Sequence, residues 1–281
     1  MEKELNIKNR RYHKPLPSWV SLVIWLIGLI IVWESVATYI DLSGQFRNPQ
    51  NYLPHLHLVI KSIFSVKVSG EFSIVMVLKA AEVTLSRVVL GFSIGIIMGF
   101  ILALLMDLSG VVEKIAFPYL MLIQMIPIIG MAPIVYAITK NVDQSRIIIA
   151  AILTFYPIST NTLAGFKSVE KEKNDLMSLC AANKFQIYCK TKIPASLPYF
   201  FTGLKIAAPL AITAAILVDT LQGGKSLGCL LSQSLKGGMS RYVFWQIVFI
   251  SAIIGVGSGL LMGLIEKICC PYRFGKKTKK K

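Results

Sequence analysis

The tetrad Gly223-Gly224-Lys225-Ser226 is the nearest approach of this chain to nucleotide chemistry, since a phosphate-binding loop ends in Gly-Lys-Ser/Thr and cradles phosphate with backbone N–H groups. The earlier glycine of that signature is missing, and the tetrad falls on the side of the membrane away from nucleotide, so the match is set aside. His55 and His57 could offer imidazole nitrogens to a metal. With two-residue spacing and no third ligand nearby, they read instead as an exposed surface segment. Glu34 and Asp219 are ionisable groups near the outer ends of apolar runs, expected to be interfacial, although a carboxylate in a span is worth testing for function. The chain has three His, none clustered with carboxylates, which argues against a membrane enzyme. Five Cys lack metal-ligand spacing, and four fall on the predicted cytoplasmic side, so they read as packing thiols. No catalytic residue and no metal site is expected.

A different kind of chemistry, recognition by a partner, is offered by Leu176 to Ala207. Six Lys lie between Lys167 and Lys192, and the apolar residues Leu176, Leu179, Cys180 and Ile187 recur at helical spacing. The pattern predicts a short amphipathic helix on the membrane surface, stopped by Pro194 and Pro198 before the next span.

The elements that must position this segment follow from composition. Hydrophobic residues make up 54% and charged residues 16% of the 281 residues, with a mean hydropathy of +0.64. That is a polytopic, all-α membrane protein, because backbone polar groups must be satisfied internally in lipid. A hydrocarbon core of about 30 Å takes about 20 helical residues. Six spans are expected, at 19–40, 88–106, 115–138, 147–166, 201–221 and 243–265. Residues 19–266 form one membrane domain, flanked by basic cytoplasmic ends at 1–18 and 267–281, with the loop 167–200 between spans four and five. The first run extends over about 20 residues without a small-x-small cleavage site, and is a retained span rather than a leader. The stretch 41–87 is read as mostly external, with turns at Asn48-Pro49 and Leu53-Pro54 and a surface helix over 58–66.

The net charge of +16 does not imply nucleic acid, because Lys and Arg collect in loops rather than forming a stripe interleaved with aromatics. The N-terminus, the loop after the fourth span and the C-terminus together carry 18 Lys/Arg, against 9 on the opposite side. The positive-inside rule therefore places both termini and the loop 167–200 in the cytoplasm of a multi-pass plasma (inner) membrane protein.

Small residues recur every four positions at Gly91, Gly95 and Gly99 in the second span and at Ser251, Gly255, Gly259 and Gly263 in the sixth, which permits close helix packing. Pro127 and Pro133 around Gly130, and Pro157 in the fourth span, remove backbone hydrogen bonds at membrane depth. Such helices either kink or break beside a polar path. Gln124, Met125, Ser159, Asn161 and Thr213 are the polar or polarisable candidates for lining that path, with helix packing as the competing role.

The ordered features resemble the permease subunits of binding-protein-dependent ABC importers, of the nitrate/sulfonate/taurine type. The strongest part is Ala181-Ala182-Asn183-Lys184-Phe185-Gln186, then Ile193-Pro194-Ala195-Ser196-Leu197-Pro198, then Thr202-Gly203-Leu204-Lys205. Supporting matches are Trp33-Glu34; Leu85-Ser86-Arg87-Val88 with Gly91-Phe92; Pro127 with Pro133; Phe155-Tyr156-Pro157 with Asn161-Thr162 and Gly165; and Asp219 with Gly224 and Gly228. Two departures stand out. Ala181 takes the position of the coupling motif's usual Gly, and Ile138-Thr139-Lys140-Asn141 replaces a Phe-Gly pair. An Ala where Gly supplies positive φ is strained, so either this turn uses ordinary helical angles or Asn183 takes it over.

The resemblance implies a type I importer fold with a cytoplasmic coupling helix between spans four and five. It implies a path formed with a second permease copy or a homologue, a cytoplasmic ABC ATPase dimer that holds ATP and Mg, and an extracellular or periplasmic protein that delivers a small solute. Leu179, Cys180, Ala181, Ala182, Asn183, Lys184 and Phe185 would dock on the ATPase, and Pro194, Pro198 and Gly203 would form the structural hinge to the fifth span. Lys184, Lys190 and Lys192 could pair with an acidic rim or with anionic lipid. The alternative is a self-contained secondary transporter or channel, a class that often carries repeat halves or intramembrane coupling carboxylates; no convincing repeat is visible.

Overall fold

The computed structural model describes residues 17–44, 52–65, 72–237 and 239–271. The basic N-terminus, most of the basic tail and the Asn48-Pro49 turn lie outside them. The chain forms two compact units, 1–61 and 62–281.

In the first unit, α1 (Ser18–Leu42) is apolar around its whole circumference and leaves Trp25 and Leu29 exposed, as suits a helix whose solvent is lipid. The short helix α2 (Leu56–Ile63) corresponds to the surface helix expected at 58–66. Trp33 Nε1 donates to Pro54 O at 3.1 Å and Leu56 N–H donates to Glu34 Oε1 at 2.8 Å, so the start of α2 is tied to α1.

The second unit is a helical bundle: α3 (Ser73–Leu108), α4 (Gly110–Met125), α5 (Ile128–Thr139), α6 (Val142–Lys167), α7 (Lys171–Leu179), α8 (Lys184–Ile187), a π-helical turn Tyr188–Lys192, α9 (Ile193–Gln222), α10 (Leu227–Leu235) and α11 (Arg241–Cys269). Five described helices are long and apolar enough to cross a membrane, or six if α4 and α5 count as one broken span.

The helix that carries the second expected span is longer than 88–106: α3 begins at Ser73, because Val77, Ala80 and Ala81 bury against Leu227, Leu230, Val243 and Ile247. The third run, 115–138, is broken, one of the two outcomes expected of its prolines, into α4 and α5, bent by 109°. Pro127 forces Ile126 out of the helical region, to ψ 124°, and itself starts α5 at ψ 123°. Pro133 and Pro157, by contrast, sit within continuous helices.

The core is set by α6, which packs on α3 and on α9. The α3 glycine row makes the first contact possible: a Cβ added at Gly91 would fall 2.7 Å from Ala150 Cβ, and one at Gly95 would fall 2.0 Å from Thr154 Oγ1. On the other flank of α6, a Cβ at Gly203 would lie 2.8 Å from Pro157 O. The α11 row is different, since a Cβ at Gly255 would meet only Pro209 Cβ, at 4.0 Å.

Candidate functional site

The segment between α6 and α9 is built from consecutive local stops and starts. Ser168 ends α6 by donating from its hydroxyl to Gly165 O at 2.7 Å. The exposed helix α7 then closes with two backbone bonds, Ala182 N–H to Met177 O at 3.0 Å and Ala181 N–H to Ser178 O at 2.9 Å. This nested pair is the Schellman arrangement, whose left-handed residue is usually Gly. Here it is Ala181, at φ 57°.

Neither alternative drawn from the sequence holds: the turn does not use ordinary helical angles, and Asn183 does not take it over. Asn183 instead caps α8. Its Oδ1 accepts Gln186 N–H at 2.8 Å and Gln186 Oε1 accepts Asn183 N–H at 2.9 Å, forming a capping box. The other described non-glycine residue at positive φ is Lys140, at φ 54°, inside the stretch that replaces the expected Phe-Gly pair.

Pro194 and Pro198 do not stop the helix. From Lys184 to Leu221 the chain is one helical run of 38 residues. Pro194 lies just after the π-helical turn Tyr188–Lys192, and this local widening of the backbone lets the run continue through a residue that has no N–H to donate. Of the residues expected to dock, Lys184 and Phe185 are thus continuous with the fifth span, whereas 179–183 form the end of α7 and the turn before α8.

Of these candidates, Leu179 is 85% and Phe185 is 76% exposed, and Leu176 beside them is also open. Cys180, Ala181, Asn183 and Lys184 are exposed, with Ala182 partly covered. Three large apolar side chains, two on α7 and one on α8, thus stand uncovered along this segment. Behind it, Lys192 Nζ reaches Asp107 Oδ2 at 2.6 Å, the Tyr188 hydroxyl donates to the same oxygen, and Phe166 packs edge-on to the Tyr188 ring at 5.9 Å. A cleft of about 270 Å³ opens between Asp107, Asn174, Ser178 and Lys184. Sequence reasoning missed Asp107, whose partners lie 81 and 85 positions away.

The path candidates fall on three helices. Gln124 and Met125 are exposed at the end of α4 beside the break. Ser159 is fully buried on α6, donating to Tyr156 O at 3.0 Å, and Asn161 donates to Pro157 O at 2.7 Å. Thr213 is exposed on α9 and donates to Pro209 O at 3.0 Å. At the opposite end of the bundle from Asp107, Asp219 is 1% exposed rather than interfacial. It is compensated by Arg146 Nε at 2.6 Å and by the Thr84 hydroxyl at 3.1 Å. Arg146 also donates to Gly223 O, so the glycine tetrad closes on an arginine of its own chain.

In the first unit, the expectation of no third ligand near the histidine pair is overturned. Glu34, His55 and His57 bring ligand atoms within 4.8 Å of one another. Hydrogen bonds from His55 to Glu34 (2.5 Å) and to Asp41 (3.0 Å) raise the His55 pKa above the ordinary imidazole value.

The described residues form a bent, glycine-packed helical bundle with an exposed apolar surface beside the start of its fifth span. Residues 93–268, more than half of the chain, match the family described as binding-protein-dependent transport system inner membrane component, and the chain belongs to that family. Its relatives include the formylaminopyrimidine transport permease protein ThiX of Halalkalibacterium halodurans, 28% identical over 89% of this chain and 94% of the relative. The nitrate import permease protein NrtB of Synechocystis sp. is 23% identical over 94% and 96%, and the putative aliphatic sulfonates transport permease protein SsuC of Bacillus subtilis is 20% identical over 89% and 88%. A solved structure of an amino acid ABC transporter with histidines shares the fold at TM-score 0.58 and 17% identity, covering 68% of this chain and 93% of that one. The chain is a permease subunit of the binding-protein-dependent ABC importer class, and a self-contained secondary transporter is not favoured. ATPase and solute-binding partners belong to that class in general.

Proposed function

We propose that 171–187 is the docking element of this permease, seated on a cytoplasmic ABC ATPase dimer in which ATP and Mg are held. The observation that carries the reading is the exposed Phe185 at the start of a helical run that continues without interruption into α9, with the exposed Leu176 and Leu179 on α7 just before it. Closure of two ATPases is a rigid-body motion, and a helix continuous with a span transmits it without an intervening flexible joint. Asp107 supports the segment from the end of α3.

In this arrangement both termini and 167–200 face the cytoplasm, in keeping with the Lys/Arg excess there. A second copy or a homologue completes the path, to which Gln124, Met125, Ser159, Asn161 and Thr213 are assigned. An external binding protein delivers the small solute. The printed names of the relatives, formylaminopyrimidine and nitrate among them, form the first panel of cargos for uptake assays.

The test is labelling of Cys180 by a membrane-impermeant thiol reagent in a chain whose other cysteines are replaced, together with copurification of the ATPase. The reading requires labelling from the cytoplasmic face alone and recovery of the ATPase. Labelling from outside intact cells would end it, because no cytoplasmic motor could reach the segment.

A further inference from the structure

We propose that Glu34, His55 and His57 bind a divalent transition-metal ion of the zinc class, with Asp41 holding His55 from behind. Two imidazoles and one carboxylate are a recurrent three-ligand set for zinc, the fourth position being left to water. Their ligand atoms already lie within 4.8 Å of one another. Metal–ligand distances of about 2.0–2.2 Å place tetrahedral ligands about 3.3 Å apart, so closing the set takes a rotation of the exposed His57 inward and a widening of the His55 Nδ1–Glu34 Oε2 separation from 2.5 Å as the shared proton leaves.

Three hydrogen bonds distinguish this site from a chance surface cluster. Glu34 is fixed through its other oxygen by Leu56 N–H at 2.8 Å. His55 Nε2 faces Asp41 Oδ2 at 3.0 Å, leaving Nδ1 toward Glu34 and the ion. The Trp33–Pro54 bond holds the backbone one residue before His55 against α1. A carboxylate behind a ligating imidazole fixes ring orientation and raises ligand basicity. On binding, the ion replaces the proton shared between His55 Nδ1 and Glu34, while Asp41 keeps the proton on Nε2. The ion would thereby cross-link α1 to the start of α2. The proposal does not depend on the transport reading.

The experiment uses the full-length chain, purified in detergent with a tag free of histidine. Zinc is titrated against a chromogenic chelator, and cobalt(II) is added separately for its visible absorption. The parent should take one equivalent of zinc and give a cobalt spectrum of a four-coordinate site. His57→Ala and Glu34→Gln should each weaken zinc by at least about tenfold, and Asp41→Asn by about tenfold. His57 is exposed, so its variant isolates ligation from folding, and helicity and monodispersity are checked for all. No stoichiometric zinc in the parent, or parent-like affinity in the Glu34→Gln/His57→Ala double variant, would overturn the assignment.

Discussion

Lys192 Nζ lies 2.6 Å from Asp107 Oδ2, joining the last turn of α3 to the π-helical turn that leads into α9. Asp107 is 6% exposed, so the pair is shielded from water more than a surface ion pair is. This salt bridge ties the π-helical turn that follows the proposed docking segment to the end of α3. Asp107→Asn should lower stability, and a double-mutant cycle with Lys192→Met, read by thermal unfolding in detergent, should return a coupling of about 1–2 kcal/mol. Solute uptake should fall more than ATPase association. A coupling near zero would mean that the segment is held by Phe166 and Tyr188 packing instead.

Ala181 at φ 57° gives a second expectation. A left-handed L-residue costs about 1–2 kcal/mol, whereas glycine adds back about 0.5–1 kcal/mol through its freedom in the unfolded chain. Ala181→Gly should therefore stabilise by about 0.5–1 kcal/mol, and Ala181→Val should destabilise. Thermal midpoints of the two variants decide it, and a midpoint lowered by glycine would show that the turn is not strained.

The two glycine rows should respond oppositely to a single methyl group. Gly95→Ala places a Cβ 2.0 Å from Thr154 Oγ1 and should cost about 1–3 kcal/mol by overpacking. Gly255→Ala meets only Pro209 Cβ at 4.0 Å and should be tolerated within the chain. Expression level and thermal unfolding of the pair provide the comparison. Equal losses would point to a neighbour of α11 outside this chain.

Phe185→Asp and Ala182→Arg should leave membrane insertion intact while removing ATPase copurification and uptake. Phe185 is 76% exposed, so the folded chain loses little from its replacement. Normal association with normal uptake in both variants would remove the docking role of 179–185.

The Arg146–Asp219 pair, both side chains at most 2% exposed, should behave as a buried ion pair. Arg146→Met leaves the Asp219 charge to Arg87 at 4.0 Å and the Thr84 hydroxyl, and should cost up to about 3–5 kcal/mol, with Asp219→Asn in the same chain recovering part of it. Unfolding midpoints of the single and double variants provide the reading.

The spans were legible in the sequence because lipid demands long apolar runs, and the break after α4 because Pro127 disfavours helix at Ile126. The segment between α6 and α9, for which docking is proposed, was legible as a basic interruption between such runs. What remained hidden depended on distant pairing. Asp219 looked interfacial because Arg146 lies 73 positions away, and Asp107 was invisible because Tyr188 and Lys192 meet it only once α3 and α9 are packed. Glu34 and His55, 21 positions apart, meet for the same reason. Pro194 misled in another way. A proline ends a helix unless the backbone around it adjusts, and local composition did not show the π-helical turn through which the run continues past Pro194. Ala181 ran against propensity, so the family departure was visible while its resolution was not.

The unbroken helical run from Lys184 to Leu221 has a mechanical consequence. At 38 residues it is about 57 Å long, nearly twice the thickness of the hydrocarbon layer. It is therefore a lever whose arms lie in different solvents. A tilt of about 10° about its middle would swing each tip by about 5 Å, so under the proposed docking a small displacement of the Lys184 end would be felt at Asp219 and the loop before α10.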